Sequence, residues 1–472
     1  MGGYDYDLII LGGGAAGFVA AKVARGFGKS VAMVEKGRLG GECTNFGCIP
    51  SKTLIRAARA VHEVRNIERF GLRVEGPVVL DTKNVMRHVR STVQKVYDTH
   101  LPASFEALGI NLYFGAPRFL DNHRVQVGEK TFSGGKFILA TGASPSVPPI
   151  TGINDVPFLT NNTIFGMEEL PGSLIVLGGG PIGVELASAF NRLGVKTTVV
   201  EALDSILFRE DRELAGMLAQ RLRSEGLQIL TSAKVVRASN KSGSISITLE
   251  GGGTKELVAE ALLVASGRRP NTEGLDLEKA GVRHDAGGVV VNDGLQTSAK
   301  NIYACGDVTG PYRFSHMSEY QAVIACRNAF LPFKKRVDYT NVIWATFTDP
   351  ELAHAGLTEE EARALHGDAV RVLRHEYGNS DKARTESEEF GRSKIILDGR
   401  GNVLGAHILG ANASDVIHEV QLARQFDIPF SRIWEAVHIY PSYADVIRNP
   451  SKYYYGDELR KKFLVRLLRR FL

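Results

Sequence analysis

The sequence predicts an α/β protein with two parallel-sheet units of one design and a C-terminal α+β unit, and three observations carry that prediction. A strand, a glycine-rich turn, a helix and a second strand follow one another at the N-terminus. The same order returns about 166 residues later. From about Tyr339 the pattern changes to short strand-like runs mixed with helices, as in an α+β domain.

In the first copy, residues 7–11 form an apolar run, and Gly12-Gly13-Gly14-Ala15-Ala16-Gly17 follows. Ala20, Val23 and Ala24 then recur on one helical face, and residues 30–34 form a β-branched, apolar strand ending at Glu35. In the second copy, residues 173–177 lead into Gly178-Gly179-Gly180-Pro181-Ile182-Gly183, a helix reaching Leu193, and a strand over 197–200 ending at Glu201. In both copies the acid lies 18 residues past the last glycine. Glycines so spaced let a backbone approach a pyrophosphate, the helix N-terminus supplies amide donors, and the acid can bond an adenosine ribose. These are the marks of two Rossmann-like dinucleotide-binding domains. Glu201 would repel a 2′-phosphate and no arginine directly follows it, so the nicotinamide cofactor is expected to be NADH rather than NADPH.

A chain of 472 residues needs two to four domains. Its 44% hydrophobic and 23% charged residues exclude disorder and fibrous repeats. Residues 456–472 hold six basic and two acidic side chains, four of the five net positive charges, so the remainder is almost neutral and no nucleic-acid partner is expected. No apolar run reaches the roughly 20 residues of a membrane span. The N-terminus enters its first strand without a signal-like segment, which leads to an expectation of cytoplasmic residence. Of four cysteines, Cys43 and Cys48 lie five apart in one motif and read as a catalytic pair, whereas Cys305 and Cys326 read as buried apolar residues. No metal site is expected.

The segment Gly40-Gly41-Glu42-Cys43-Thr44-Asn45-Phe46-Gly47-Cys48-Ile49-Pro50-Ser51-Lys52 is specific. With both dinucleotide motifs, Ala140-Thr141-Gly142, Gly267-Arg268-Arg269-Pro270-Asn271, Cys305-Gly306-Asp307 and Phe347-Thr348-Asp349-Pro350-Glu351, it resembles the class I pyridine nucleotide-disulfide oxidoreductases. This is the family of lipoamide dehydrogenase, glutathione reductase and mercuric reductase, and the resemblance spans nearly the whole chain. It implies FAD on the first motif, with Gly12, Gly14, Gly17, Glu35, Lys36, Gly41, Thr141, Gly142, Gly306 and Asp307 contributing, and Gly267 as a further cofactor-binding residue. NAD would occupy the second, with Gly178, Gly180, Gly183 and Glu201. Reducing equivalents would pass to Cys48, the thiolate beside the flavin, and then to Cys43, the interchange thiol. Lys52 would sit near the flavin and pair with Glu185, and residues 315–317 would pass close to the ring. The resemblance also implies a homodimer.

At the C-terminus the chain departs from its disulfide-reducing relatives, which carry a His directly before a Pro and a Glu five residues after that His. Here Tyr440 precedes Pro441 and Asp445 stands at the acid's place. A phenol with an ordinary pKa near 10 is a poor base at neutral pH, so efficient turnover of lipoamide or glutathione is not expected unless His438 replaces the missing base. Mercuric reductases also lack the dyad, and Phe208-Arg209-Glu210-Asp211 resembles their sequence. They use a C-terminal cysteine pair, however, and no cysteine lies in this tail.

The expected domains are 1–150 and 273–337 for FAD, 151–272 for NAD(P), 338–455 for dimerisation, and a basic amphipathic tail over 456–472. Residues 144–149 read as a linker. In the tail Phe463, Leu464, Leu467, Leu468 and Phe471 oppose Lys462, Arg466, Arg469 and Arg470. Such a helix can lie on the inner membrane surface or pack on the dimer. The sequence thus describes an FAD-dependent oxidoreductase passing electrons from NADH through Cys43 and Cys48 to a small-molecule or protein acceptor. Dihydrolipoamide dehydrogenase, a reductase of mercury or another metal ion, and a membrane-surface electron carrier to quinone or a protein remain alternatives.

Overall fold

The computed structural model describes residues 3–241, 243–250 and 255–461. The region of the tail beyond residue 461 therefore lies outside the described residues. The chain folds into two compact units, one of residues 1–54, 81–171 and 261–338, the other of residues 55–80, 172–260 and 339–472.

The first unit is built on a parallel sheet. Its strands run in the order Ile110–Phe114, Val31–Glu35, Tyr6–Leu11, Lys130–Leu139, Ile302–Ala304. Alternate side chains of the central strand enter opposite cores. Leu8 and Ile10 pack with Met33, Ala20, Ala24 and Ile324 on one side, while Ile9 and Leu11 pack with Val34, Phe119 and Phe137 on the other. Both faces are covered, so the strand reads as an unbroken apolar run. Each fully buried large side chain of this kind contributes about 1.5–3 kcal/mol. Cys305 and Cys326 are fully buried in the first of these cores. Burial raises the Cys305 thiol well above its ordinary range and pushes Cys326 up to about 12, so both are inert apolar residues, as expected.

The start of the expected linker, residues 144–149, is held in a short ladder. Ala143–Pro145 pairs antiparallel with Arg268–Pro270, placing Pro145 opposite Arg268. This ladder has only two strands, so Pro145, which has no N–H to donate, can sit on an open edge.

The second unit carries the repeat of the first. Strands Ser173–Leu177, Lys196–Val200 and Gln228–Leu230 are parallel in that order, with helices Pro181–Arg192 and Arg212–Ser224 and a three-stranded antiparallel sheet over residues 234–259. The same unit contains a five-stranded antiparallel sheet in the order Ile343–Thr346, Glu351–Gly356, Val403–Gly410, Arg392–Leu397, Arg371–Glu376. Its core joins Ile395, Ile408, Ile417, Phe430 and Ile447. The expected α/β class with a C-terminal α+β portion is therefore the observed one. Among the described residues no helix is long and apolar enough to cross a membrane.

Candidate active site

The first glycine turn is shaped by backbone contacts that leave no room for side chains. Gly12 has φ +112°, and a Cβ there would lie 2.2 Å from the Ala140 carbonyl oxygen. At Gly17 a Cβ would meet the Gly12 carbonyl oxygen at 1.9 Å, and at Gly41, with φ +58°, the Gly14 Cα at 2.7 Å. Gly14 precedes the helix Ala15–Gly26, whose N-terminus has no side-chain cap, so its first amides are left to face a ligand. Glu35 braces the turn: Oε2 accepts from the Gly13 amide at 2.7 Å and Oε1 from the Gly37 amide at 2.7 Å.

The second turn repeats this geometry. Gly178 has φ +113°, and a Cβ on Gly183 would meet the Gly178 carbonyl oxygen at 2.0 Å. The helix Pro181–Arg192 follows Gly180 without a side-chain cap. Glu201 accepts from the Gly179 and Leu203 amides at 2.6 and 2.8 Å. A Cβ on Gly180 would meet nothing within 4 Å, so open space lies before these helix amides. Both cradles fit a dinucleotide pyrophosphate.

Other expected cofactor contacts gather in the first unit. The Thr141 hydroxyl donates to the Asn271 carbonyl at 2.7 Å, and Gly142, at φ +72°, accepts from the Asn271 amide at 2.9 Å. Gly267, at φ +141°, accepts from Ser146, and Gly306 donates to Gln321 at 2.7 Å. Burial raises the Asp307 pKa, opposed by Arg268, whose Nε lies 3.7 Å from Asp307 Oδ2. Lys36 is exposed and lines a shallow pocket with Ser144, Arg269 and Asn271.

Cys43 lies in the short helix Gly41–Asn45, which is pinned where the Asn45 side chain donates to the carbonyls of Leu39 and Gly41 at 3.0 and 2.8 Å. Cys48 opens the helix Cys48–Arg65, at the end where a helix favours negative charge. The two thiols are hydrogen-bonded to each other. That bond, with burial second, holds the Cys43 pKa far above its ordinary value. Lys52 follows Cys48 by one turn and is half-buried.

The sequence reading did not foresee the charges around this pair. Glu42, directly before Cys43, forms a bidentate ion pair with Arg268, and Asn161 Nδ2 donates to Glu42 Oε1 at 2.5 Å. Arg268 also donates to the Ala143 carbonyl at 2.6 Å. Burial disfavours the Arg268 charge, yet the Glu42 hydrogen bonds and ion pair raise its pKa. The only sequence signal was an acid beside a redox cysteine.

In the second unit Glu185 is buried, and its Oε1 accepts from the Phe347 amide at 2.8 Å. Tyr440 is 68% exposed, and its phenol donates to Asp381 rather than to Asp445. This bond is the leading cause of its raised pKa. Asp445 is buried at the start of Asp445–Lys461, and burial raises its pKa. His438 directs Nδ1 to the Ala436 carbonyl at 2.8 Å and Nε2 to the Glu419 carboxylate at 2.6 Å. Both ring nitrogens therefore face acceptors, and neither presents a lone pair to a substrate. Among the described residues no group of three or more His, Cys, Asp or Glu is placed to hold a metal ion.

Two family models match the chain: the pyridine nucleotide-disulphide oxidoreductase model over residues 6–329 and that family's dimerisation domain over 342–450. The mercuric reductase of Staphylococcus aureus is 34% identical over 447 residues, covering 94% of this chain and 81% of the relative. The dihydrolipoyl dehydrogenase of Bacillus subtilis is 34% identical over 459 residues, covering 94% and 96%. Among solved structures, the HOCl-induced flavoprotein disulfide reductase RclA from Escherichia coli superposes with a TM-score of 0.86 at 31% identity, covering 94% of this chain and 99% of that one. Its Cu(II) complex matches equally well, at 32% identity. Enzymes of this family are FAD-dependent and use a pyridine nucleotide, and the dimerisation domain supports a homodimer. The chain belongs to the pyridine nucleotide-disulphide oxidoreductase family.

Proposed function

We propose that the protein takes reducing equivalents from NADH, passes them by way of FAD to Cys43 and Cys48, and delivers them to a thiophilic metal ion. The observation that carries this reading is the hydrogen-bonded Cys43–Cys48 pair at adjoining helix ends. FAD is assigned to the Gly12–Gly17 cradle with Glu35, and NADH to Gly178–Gly183 with Glu201. When bound, the flavin supplies a two-electron relay between a nicotinamide hydride and a disulfide.

The chain's residues supply position and charge. The glycine turns admit the two pyrophosphates, and the two acids bond the riboses. Arg268, held by Glu42, places a positive charge where it stabilises an anionic Cys48. Cys43 meets the acceptor.

The choice of acceptor follows from the C-terminal loop. Reducing a disulfide creates a leaving thiolate that an acid must protonate, and neither Tyr440 nor His438 is placed to cycle a proton. A soft metal ion needs two thiolate ligands and no such acid. Mercuric reductases among the relatives and the copper complex of RclA are consistent with that choice.

Two experiments on purified protein test the reading. Anaerobic NADH titration should raise a long-wavelength thiolate-to-flavin absorbance band that Cys48→Ser abolishes; flavin bleaching without the band removes the cysteines from the circuit. NADH oxidation should then accelerate with Hg(II) or Cu(II) and stay near background with lipoamide. The reverse preference would make the protein a dihydrolipoyl dehydrogenase.

A further inference from the structure

The helix Ser315–Phe330 begins beside the redox pair. Ser315 Oγ lies 3.6 Å from Cys48 Sγ and also hydrogen-bonds the Cys43 thiol, where its effect is to favour the anion. The residue before it, Phe314, provides no side-chain cap, and the Ser315 hydroxyl is directed to the sulfurs. One rotatable donor thus reaches both reacting atoms.

We propose that the Ser315 hydroxyl is a catalytic hydrogen-bond donor that follows the negative charge between the two sulfurs and so makes Cys43 nucleophilic. In the reduced pair Cys43 carries the proton and Cys48 the charge. The proton moves from Cys43 sulfur to Cys48 sulfur, giving a Cys43 thiolate and a Cys48 thiol, with no proton gained or lost by the pair. As it moves, the Ser315 O–H swings from Cys48 to Cys43, so the new anion is never without a donor. The charged groups around this exchange are Arg268, Glu42 and Asp307, with Lys52 one turn beyond Cys48 and exposed His316 next to Ser315. The comparison of Ser315 variants leaves all of these charges in place, so it reads the hydroxyl's contribution apart from theirs.

The inference rests on Cys43 and Cys48 being the redox pair. Its test follows the pH dependence of Cys43 alkylation by iodoacetamide in the full-length flavoprotein, reduced anaerobically with tris(2-carboxyethyl)phosphine. Ser315→Ala should slow alkylation near pH 7.5 about tenfold, the scale of one hydrogen bond to a charged group, and move the profile to higher pH. Ser315→Thr should restore both. Ser315→Thr and Ser315→Val form a nearly isosteric pair that repeats the comparison if the alanine variant loses flavin. Superimposable profiles for Ser315→Ala and wild type, or for the Thr and Val variants, overturn the proposal. Failure of NADH to expose an alkylatable Cys43 is a separate readout and would sink the redox-pair reading instead.

Discussion

Tyr440 donates its phenolic hydrogen to the Asp381 carboxylate at 2.9 Å. The bond keeps the proton on the phenol, since ionising it would set two negative charges in contact. If this is what limits disulfide turnover, replacing Tyr440 by His and Asp445 by Glu should raise kcat/KM for lipoamide at least about tenfold, the lower end of what a placed acid–base contributes being higher still. Steady-state lipoamide reduction in the double variant reads this directly, and an unchanged value would put the block elsewhere.

The two glycine turns predict opposite outcomes for one substitution. Gly12→Ala forces a Cβ to within 2.2 Å of a backbone oxygen and should abolish flavin retention and stable folding. Gly180→Ala has open space at φ −74° and should fold with a full flavin complement while raising the KM for NADH. Flavin-to-protein ratio and steady-state kinetics separate the two.

Glu201 should set the nucleotide preference. Its oxygens accept from the Gly179 and Leu203 amides, so the carboxylate is fixed in place where a 2′-phosphate would approach. The ratio of kcat/KM for NADH over NADPH should exceed unity and fall at least about tenfold in Glu201→Ser, about the 1.4 kcal/mol scale of one charge contact. Equal use of both nucleotides by wild type would refute the assignment.

Glu42 and Arg268 are partly buried, with side-chain exposures of 25% and 14%. Removing one partner strands the other charge. Glu42→Ala should therefore lower the unfolding free energy by about 2–3 kcal/mol, whereas Glu42→Ala with Arg268→Met should recover part of it. Urea denaturation of the four forms gives the coupling energy; additive losses would mean that the pair is not coupled.

A buried acid makes stability depend on pH. Glu210 Oε1 accepts from Trp344 Nε1 at 2.7 Å, and Oε2 faces His354 Nδ1 at 3.3 Å. Burial pushes Glu210 up to about 7 and His354 down to about 4. Although the separation is that of an ion pair, both directions favour a neutral acid facing a neutral imidazole, and we adopt that state because both groups lie in the interior. Glu210 binds its proton more tightly in the fold, so its stabilisation is full below pH 4.5 and is lost as pH rises through about 7, by roughly 3 kcal/mol. His354 acts oppositely: its contribution is present above 6.5 and lost as pH falls through about 4. The melting temperature of Glu210→Gln minus that of wild type should therefore grow from pH 4.5 to 7 and level off above. A difference that does not vary with pH would show that Glu210 is ionised throughout.

The architecture and the cysteine motif were legible in the amino-acid order alone, because those features are local. A strand buried on both faces must be apolar throughout, a turn that grips a pyrophosphate must be glycine, and each acid must end the next strand, all within about 30 consecutive residues. Cys43 and Cys48 belong to the same class, their spacing being fixed by two adjoining helix ends. The pairing of Glu42 with Arg268 joins residues 226 apart, that of Ser315 with Cys48 residues 267 apart, and that of Glu210 with Trp344 residues 134 apart. No periodicity or spacing encodes such contacts, since each depends on which loops the sheets bring together. His438 shows the same limit. A histidine two places from the expected base could have replaced it, and only the fold shows that Glu419 and the Ala436 carbonyl lie against its two nitrogens.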